Sequence, residues 1–463
     1  MSTQPQETTV ADLRAAGHAH RTVKAELRAN LLVRLKAKEN RFPGIVGFDD
    51  TVLPHLERAI IAGHDLVLLG ERGQGKTRLI RTIVGLLDEW TPVITGCEIN
   101  DHPYEPVCVR CKRLAAAEGD RLPVSWLHRD SRYGEKLATP DTSVGDLIGD
   151  VDPIKVAEGR TLGDPETVHF GLVPRTNRGI FSINELPDLA ERIQVALLNV
   201  LEERDVQVRG YALRLPLDLL LIASANPEDY TNRGRIITPL KDRFGAEIRT
   251  HYPLSLDTEL DLIIQEADLS CEVPLHLLET IARFTRLVRD SKAVDSRSGV
   301  SARFAIAGAE TVAAGAVRRA ALSGDDPPVA RVCDLPSVVP TLMGKVEFEV
   351  SEEGREQEVL EHLLRRATAE TFRRTLGTAD LSGLLDKFDS GETVDTGELV
   401  PAHDLLHRIG PVRGLGKIMT TLDLSGDSPG QAAAALEFAL EGLFLTRRLS
   451  KDVNDGPTST YRT

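Results

Sequence analysis

No run of about eighteen apolar residues occurs in this 463-residue chain, which excludes an ordinary membrane-spanning helix. The first thirty residues contain no apolar core segment, so no secretory leader is expected and a cytoplasmic location follows. Basic charge is not in excess either: 56 Lys and Arg stand against 70 Asp and Glu, a net charge of −14. That balance gives no general electrostatic reason to bind nucleic acid. Five cysteines are too few for a disulfide framework in so long a chain. Internal repeats and long low-complexity tracts are absent. What is present is a globular composition, 41% hydrophobic and 27% charged, in a chain long enough for two to four domains.

Residues 1–42 are polar and rich in Ala, Arg and Lys, with one amphipathic helix expected from Val23 to Leu35. From 43 to 252, apolar β-like runs alternate with helical patterns, which predicts an α/β domain whose mostly parallel sheet has helices on both faces. The strand candidates are Leu66–Leu69, Val124–Leu127, Gly179–Ile183, Leu219–Ala223 and Glu247–His251, and a cysteine-containing insert covers 91–123. Residues 253–328 read as helical. After Pro327-Pro328, residues 329–463 read as a further mainly helical domain that ends in a frayed polar tail from Asp452.

Residues 70–77 are Gly70-Glu71-Arg72-Gly73-Gln74-Gly75-Lys76-Thr77, a complete G-x-x-x-x-G-K-[ST] phosphate-binding loop between an apolar run and a helical stretch. In that context backbone N–H groups can surround a β-phosphate, Lys76 can reach the β/γ oxygens, and Thr77 can place its hydroxyl on Mg²⁺. The run Gly179–Ile183 then delivers Asn184-Glu185 to a strand end, the Walker B arrangement. Glu185 is placed to orient and polarise the attacking water. An acid would ordinarily precede it; the Asn184 amide can accept a hydrogen bond there but carries no charge. Next, Leu219–Ala223 leads into Ser224-Ala225-Asn226, whose amide can position the water or read the γ-phosphate. Arg243, in Leu240-Lys241-Asp242-Arg243-Phe244, can neutralise transition-state charge in a neighbouring subunit, and Arg303 opens a helix from which it could contact phosphate.

In this order, these motifs resemble an AAA+ ATPase, with most similarity to the magnesium chelatase ATPase (I) subunit and the MoxR-type ATPases. The resemblance runs over about residues 43–320. It includes Ile45-Val46-Gly47, where adenine usually sits, and Gly171-Leu172-Val173-Pro174-Arg175-Thr176-Asn177-Arg178-Gly179 before Walker B. It implies an AAA+ core, a helical lid at 253–328, and hairpin insertions at 155–173 and 205–217. It further implies ATP and Mg²⁺ as cofactors and a homo-oligomeric, hexameric ring. Lys76, Thr77, Glu185 and Asn226 would form half of each site, Arg243 would come from the neighbour, and Arg303 would be the lid's sensor. A partner protein with a von Willebrand A-type adhesion domain is also implied. The family has Asp where this chain has Asn184.

Cys97, Cys108 and Cys111, with His102 among them, have spacing suited to a structural Zn²⁺. Free thiols or a reversible disulfide remain alternatives. The chelatase pattern does not require this insert. Asp423-Leu424-Ser425-Gly426-Asp427 reads as a loop rather than a metal-dependent adhesion site. The expected function is therefore ATP hydrolysis in a ring that remodels or matures a partner, with a true metal-chelatase subunit as the alternative. A nucleic-acid motor ranks lower, because the Gly-Ala-Phe-Thr-Gly-Ala loop of sigma-54 activators is absent.

Overall fold

In strands β1 (Leu66–Leu69), β7 (Gly179–Asn184) and β8 (Leu219–Ala225) every residue is buried, as expected for a sheet covered on both faces. The structure is a computed structural model that describes residues 3–152, 154, 157, 167–203, 215–227, 236–295, 299–453 and 458–462. It divides into two units, 1–251 and 252–463. In the first, the other strands are β2 (Trp90–Ile94), β3 (Val124–His128), β4 (Tyr133–Leu137), β5 (Gly149–Val151), β6 (Val168–Phe170) and β9 (Ala246–Arg249). The main sheet has the order β4-β7-β8-β1-β9, with every neighbouring pair parallel.

Alternation along the strands divides the core between the two faces. Leu66, Leu68, Ile180, Leu220 and Ile222 join one apolar cluster, whereas Val67, Leu69, Phe181, Ile183, Leu219 and Leu221 join the other. The first cluster is closed by helices Val23–Ala37, through Val23, Leu27 and Leu31, and Val52–Ala62. Residues 1–42 are therefore part of this core, and they contain a second helix, Val10–Ala15, whose Val10 and Leu13 pack in the other cluster. A buried ion pair, Arg132 to Glu26 at 2.7 Å through both guanidinium arms, fixes helix Val23–Ala37 beside the start of β4.

One expectation about the sheet needs correction. Val124–His128 is a strand but lies outside the main sheet, in an antiparallel ribbon with β2. The edge place belongs to β4, whose sequence Tyr-Gly-Glu-Lys-Leu has no apolar run to announce it. The hairpin expected at 155–173 lies largely outside the described residues, and only its base is seen, as the antiparallel pair β5–β6. That at 205–217 lies outside them except for 215–217.

The second unit is helical around one apolar cluster that runs from Ile263 to Tyr461. Residues 329–463 thus pack on the same core as helices Leu275–Arg289 and Ala302–Ser323. Buried pairs Arg319–Asp334 at 3.1 Å and Arg331–Glu437 at 3.2 Å lie within that core. The described residues of the tail are not frayed. Strands β10 (Val394–Gly397), β11 (Ser450–Val453) and β12 (Thr458–Arg462) form a small antiparallel sheet. Tyr461, 1% exposed, anchors it by donating to Glu441. Among the described residues no helix is long and apolar enough to cross a membrane.

Candidate nucleotide site and cysteine corner

The phosphate loop follows β1 directly and ends as helix Lys76–Ile83 begins. Gly75 occupies the helix N-cap at φ +75°, a left-handed backbone that favours glycine. A Cβ on Gly70 would collide with the side chains of Thr250 and Gln74, which bond each other at 2.8 Å, so the chain can turn there only without a side chain. Lys76 Nζ donates to the carbonyls of Gly70 and Glu71, the latter at 2.8 Å, and to Asn226 Oδ1 at 2.8 Å. The last contact joins the end of β8 to the loop across the sheet. A cleft of about 310 Å³ lies beside it, lined among others by Gly70, Glu71, Gln74, Lys241 and Thr250.

At the end of β7, Asn184 is buried. Its Oδ1 accepts from Ser224 Oγ at 3.2 Å, and its Nδ2 donates to Glu135 Oε1 at 2.6 Å. Ser224 Oγ in turn accepts from the Glu185 backbone N–H at 3.3 Å. Glu185 has φ +56° and ψ 46°, a left-handed conformation for a residue with a side chain. Such a conformation costs about 1–3 kcal/mol and persists where surrounding structure enforces it. Here β7 and the following turn Leu186–Asp188 do so.

Glu135 was not legible as a site residue. It sits on β4, where Leu137 pairs with Asn184 in register. Besides Asn184 it accepts from Arg81 at 2.9 and 3.0 Å and from Tyr133 Oη at 3.0 Å. The hydrogen bond and charge of Glu135 hold the Arg81 guanidinium above its usual pKa. Burial pushes the Tyr133 phenol up to about 12. Glu135 thus sets a carboxylate, already paired with Arg81, beside the uncharged Asn184 amide.

Arg243 closes helix Thr238–Arg243 with its side chain 42% exposed. Arg303 is exposed at the start of helix Ala302–Ser323, in the second unit. Lys76 and Asn226 are thus brought together, as are Asn184, Ser224 and the Glu185 backbone, whereas Arg243 and Arg303 take no part in those contacts.

A second polar group lies between β2 and β3. Cys97, Asp101, Cys108 and Cys111 each present one ligand atom, all within 4.8 Å of one another. His102 is not part of it. Its Nδ1 accepts from the Tyr104 N–H at 3.0 Å, which leaves the proton on Nε2, facing His18 Nε2 at 3.3 Å. Burial pushes His102 down to about 2, so it is a neutral core histidine.

The strand order, the loop after β1 and the acid at the end of β7 define a P-loop module of the AAA+ class. The Sigma-54 interaction domain model matches residues 159–243, which contain Glu185, Asn226 and Arg243. The chain is similar to the magnesium-chelatase 38 kDa subunit of Cereibacter sphaeroides, 28% identical over 235 residues, covering 48% of this chain and 62% of that protein. The corresponding subunit of Acidiphilium rubrum is 31% identical over 207 residues, covering 43% and 54%. Magnesium-chelatase subunit ChlI of Nostoc sp. is 26% identical over 247 residues, covering 51% and 61%. The chain is an AAA+ protein related to these subunits, and it spans between about half and three fifths of their length.

Proposed function

We propose that the chain is an ATP-hydrolysing subunit of a cytoplasmic, MoxR-like hexameric ring that remodels or matures a partner protein. The observation that carries this is the 2.8 Å contact between Lys76 Nζ and Asn226 Oδ1, which joins the phosphate loop to the next strand beside the Walker B end. The residues fit a nucleotide with Mg²⁺: Gly70 leaves room for close backbone approach, Gly75 opens a helix whose N–H groups face the loop, and Glu135 and Glu185 bracket Asn184. Thr77, Asn184 and Glu135 would hold the ion, which when bound neutralises charge on the β- and γ-phosphate oxygens. Lys76 holds the phosphates. Glu185 orients the attacking water and takes its proton, and Asn226 fixes the water relative to Lys76. Arg243, exposed on the surface, would serve the neighbouring subunit's site, and Arg303 would sense phosphate from the lid. The domain roles follow the same reading: residues 43–252 serve as the ATPase core and 253–328 as the lid, onto whose own apolar core residues 329–463 pack. A structural zinc ion is a second cofactor.

The second reading is an ATPase subunit of a magnesium chelatase, favoured by the names of the curated relatives. Either reading takes a partner with a von Willebrand A-type domain. The Glu185→Gln form, loaded with ATP and used as bait, is expected to retain that partner. Turnover should rise with the partner and stay unchanged with nucleic acid. Stimulation by DNA alone would overturn both readings.

A further inference from the structure

We propose that Cys97, Asp101, Cys108 and Cys111 form a closed, four-ligand structural zinc site, with Asp101 rather than a histidine as the fourth ligand. The assignment rests on the zinc of the reading above and not on its ATPase chemistry.

The chain brings these residues together by local means. Cys97 lies in the turn after β2, where its N–H donates to the Ile94 carbonyl at 3.1 Å. Four residues on, the Asp101 N–H donates to Cys97 Sγ at 3.3 Å. Cys108 is the N-cap of helix Val109–Glu118, and its Sγ accepts from the Cys111 N–H at 3.3 Å. Two thiols therefore sit on the first turn of a helix, where its dipole favours negative charge. Backbone amides point at two of the sulfurs.

Asp101 supplies the independent sign of a ligand. It is fully buried. Its Oδ2 accepts from Val107 N at 3.1 Å and Cys108 N at 2.9 Å, whereas Oδ1 has no hydrogen-bond partner among the described residues. A buried carboxylate oxygen without a partner is costly, and this carboxylate stands within 4.8 Å of three sulfurs. A tetrahedral ion with bonds of about 2.3 Å to sulfur and about 2.0 Å to oxygen holds its ligand atoms roughly 3.5–4 Å apart. One cation at the centre would give Oδ1 a partner and offset the mutual repulsion of the thiolates. Three soft thiolates in a tetrahedral set with no open position select zinc in a structural role.

The corner also has something to hold. The carbonyl of Ile99 accepts from Asn177 Nδ2 at 2.9 Å, and Asn100 Nδ2 donates to the Arg175 carbonyl at 2.8 Å. The loop that the ion would close thus fastens the segment 175–177, directly ahead of β7. On its other side, Arg14 pairs with Asp120, and Val10 N donates to Leu122 O at 3.2 Å, which attaches the N-terminal segment. An ordered loop here supports both.

The full-length chain, dialysed against metal-free buffer and measured by elemental analysis, is expected to contain about one zinc per chain. The Asp101→Asn form should bind it about tenfold more weakly in competition with a chromogenic chelator, whereas His102→Gln should keep wild-type affinity. Cobalt substituted into the wild-type chain should show thiolate charge-transfer absorption, a readout that remains if a variant fails to fold. Less than half an equivalent of zinc without such absorption overturns the site. Loss of zinc in His102→Gln with none in Asp101→Asn overturns the ligand set. None of these measurements involves nucleotide, so failure of the zinc site and failure of the ATPase reading are separate outcomes.

Discussion

The nucleotide end of the sheet and the cysteine corner lie in the same unit but are built in opposite ways. At the nucleotide end, the groups come from four different parallel strands: Lys76 follows the loop after β1, Asn184 ends β7 with Glu185 just beyond it, Asn226 follows β8, and Glu135 lies in the middle of β4. The frame is rigid, and the chemistry is spread across it. At the corner, all four groups come from fifteen consecutive residues between β2 and β3, a turn and the start of helix Val109–Glu118. There the groups themselves must hold the backbone. The difference teaches where substitutions should act: at the first site on turnover, at the second on stability.

The largest expected effect separates the two. Arg243→Ala should lower ATP turnover by about 10³- to 10⁵-fold while leaving the thermal midpoint unchanged; mixed rings in which only the neighbour carries Arg243 should regain turnover. A fall in the midpoint comparable to that in a core mutant would mean that Arg243 is structural. Chelation of zinc should do the reverse, lowering the midpoint by several degrees with nucleotide affinity maintained, as read by calorimetry with and without a fluorescent ATP analogue. Glu135→Gln sharpens the picture at the first site. It should raise the Mg²⁺ concentration needed for tight nucleotide binding by roughly tenfold, and Asn184→Asp should lower it. If neither variant moves the Mg²⁺ titration, that edge of the sheet does not face the metal.

The smallest effect lies outside both sites. His276, in the second unit, packs against Phe438 with ring centroids 4.4 Å apart, and neither of its ring nitrogens has a partner among the described residues. Burial pushes it down from 6.5 to about 3. Its folded-state pKa lies below its unfolded value, so the unfolded state binds the extra proton. Stability should be full above pH 6.5 and fall by up to about 1.4 kcal/mol per pH unit below it. His276→Phe should flatten that slope in denaturant titrations of the whole chain, with no change in the response to Mg²⁺ or zinc.

The same contrast explains what was legible in the sequence. The strand Leu66–Leu69, the loop after it, the end of β7 and the amide after β8 are announced by fixed spacings, because the backbone around a phosphate allows few solutions. The approach of Asn226 to Lys76 follows from that order. Glu135 is silent, since its role depends on which short polar strand takes the sheet edge. In the corner, spacing singled out the three thiols and, less firmly, His102, and gave no sign of Asp101. The two are adjacent, and only the turn geometry decides which faces the sulfurs. Residues 329–463 looked like a separate domain because Pro327-Pro328 punctuates the chain, yet their apolar faces close the core begun at Ile263. The polar tail gave no hint that Tyr461 is buried.

The central claim is that the end of β7 performs the chemistry for which the phosphate loop binds the nucleotide. ATP binding and steady-state turnover of Glu185→Gln, measured on the same preparation, test it most directly. The account predicts wild-type affinity with turnover reduced at least about 10²-fold. Normal turnover in that variant would contradict it.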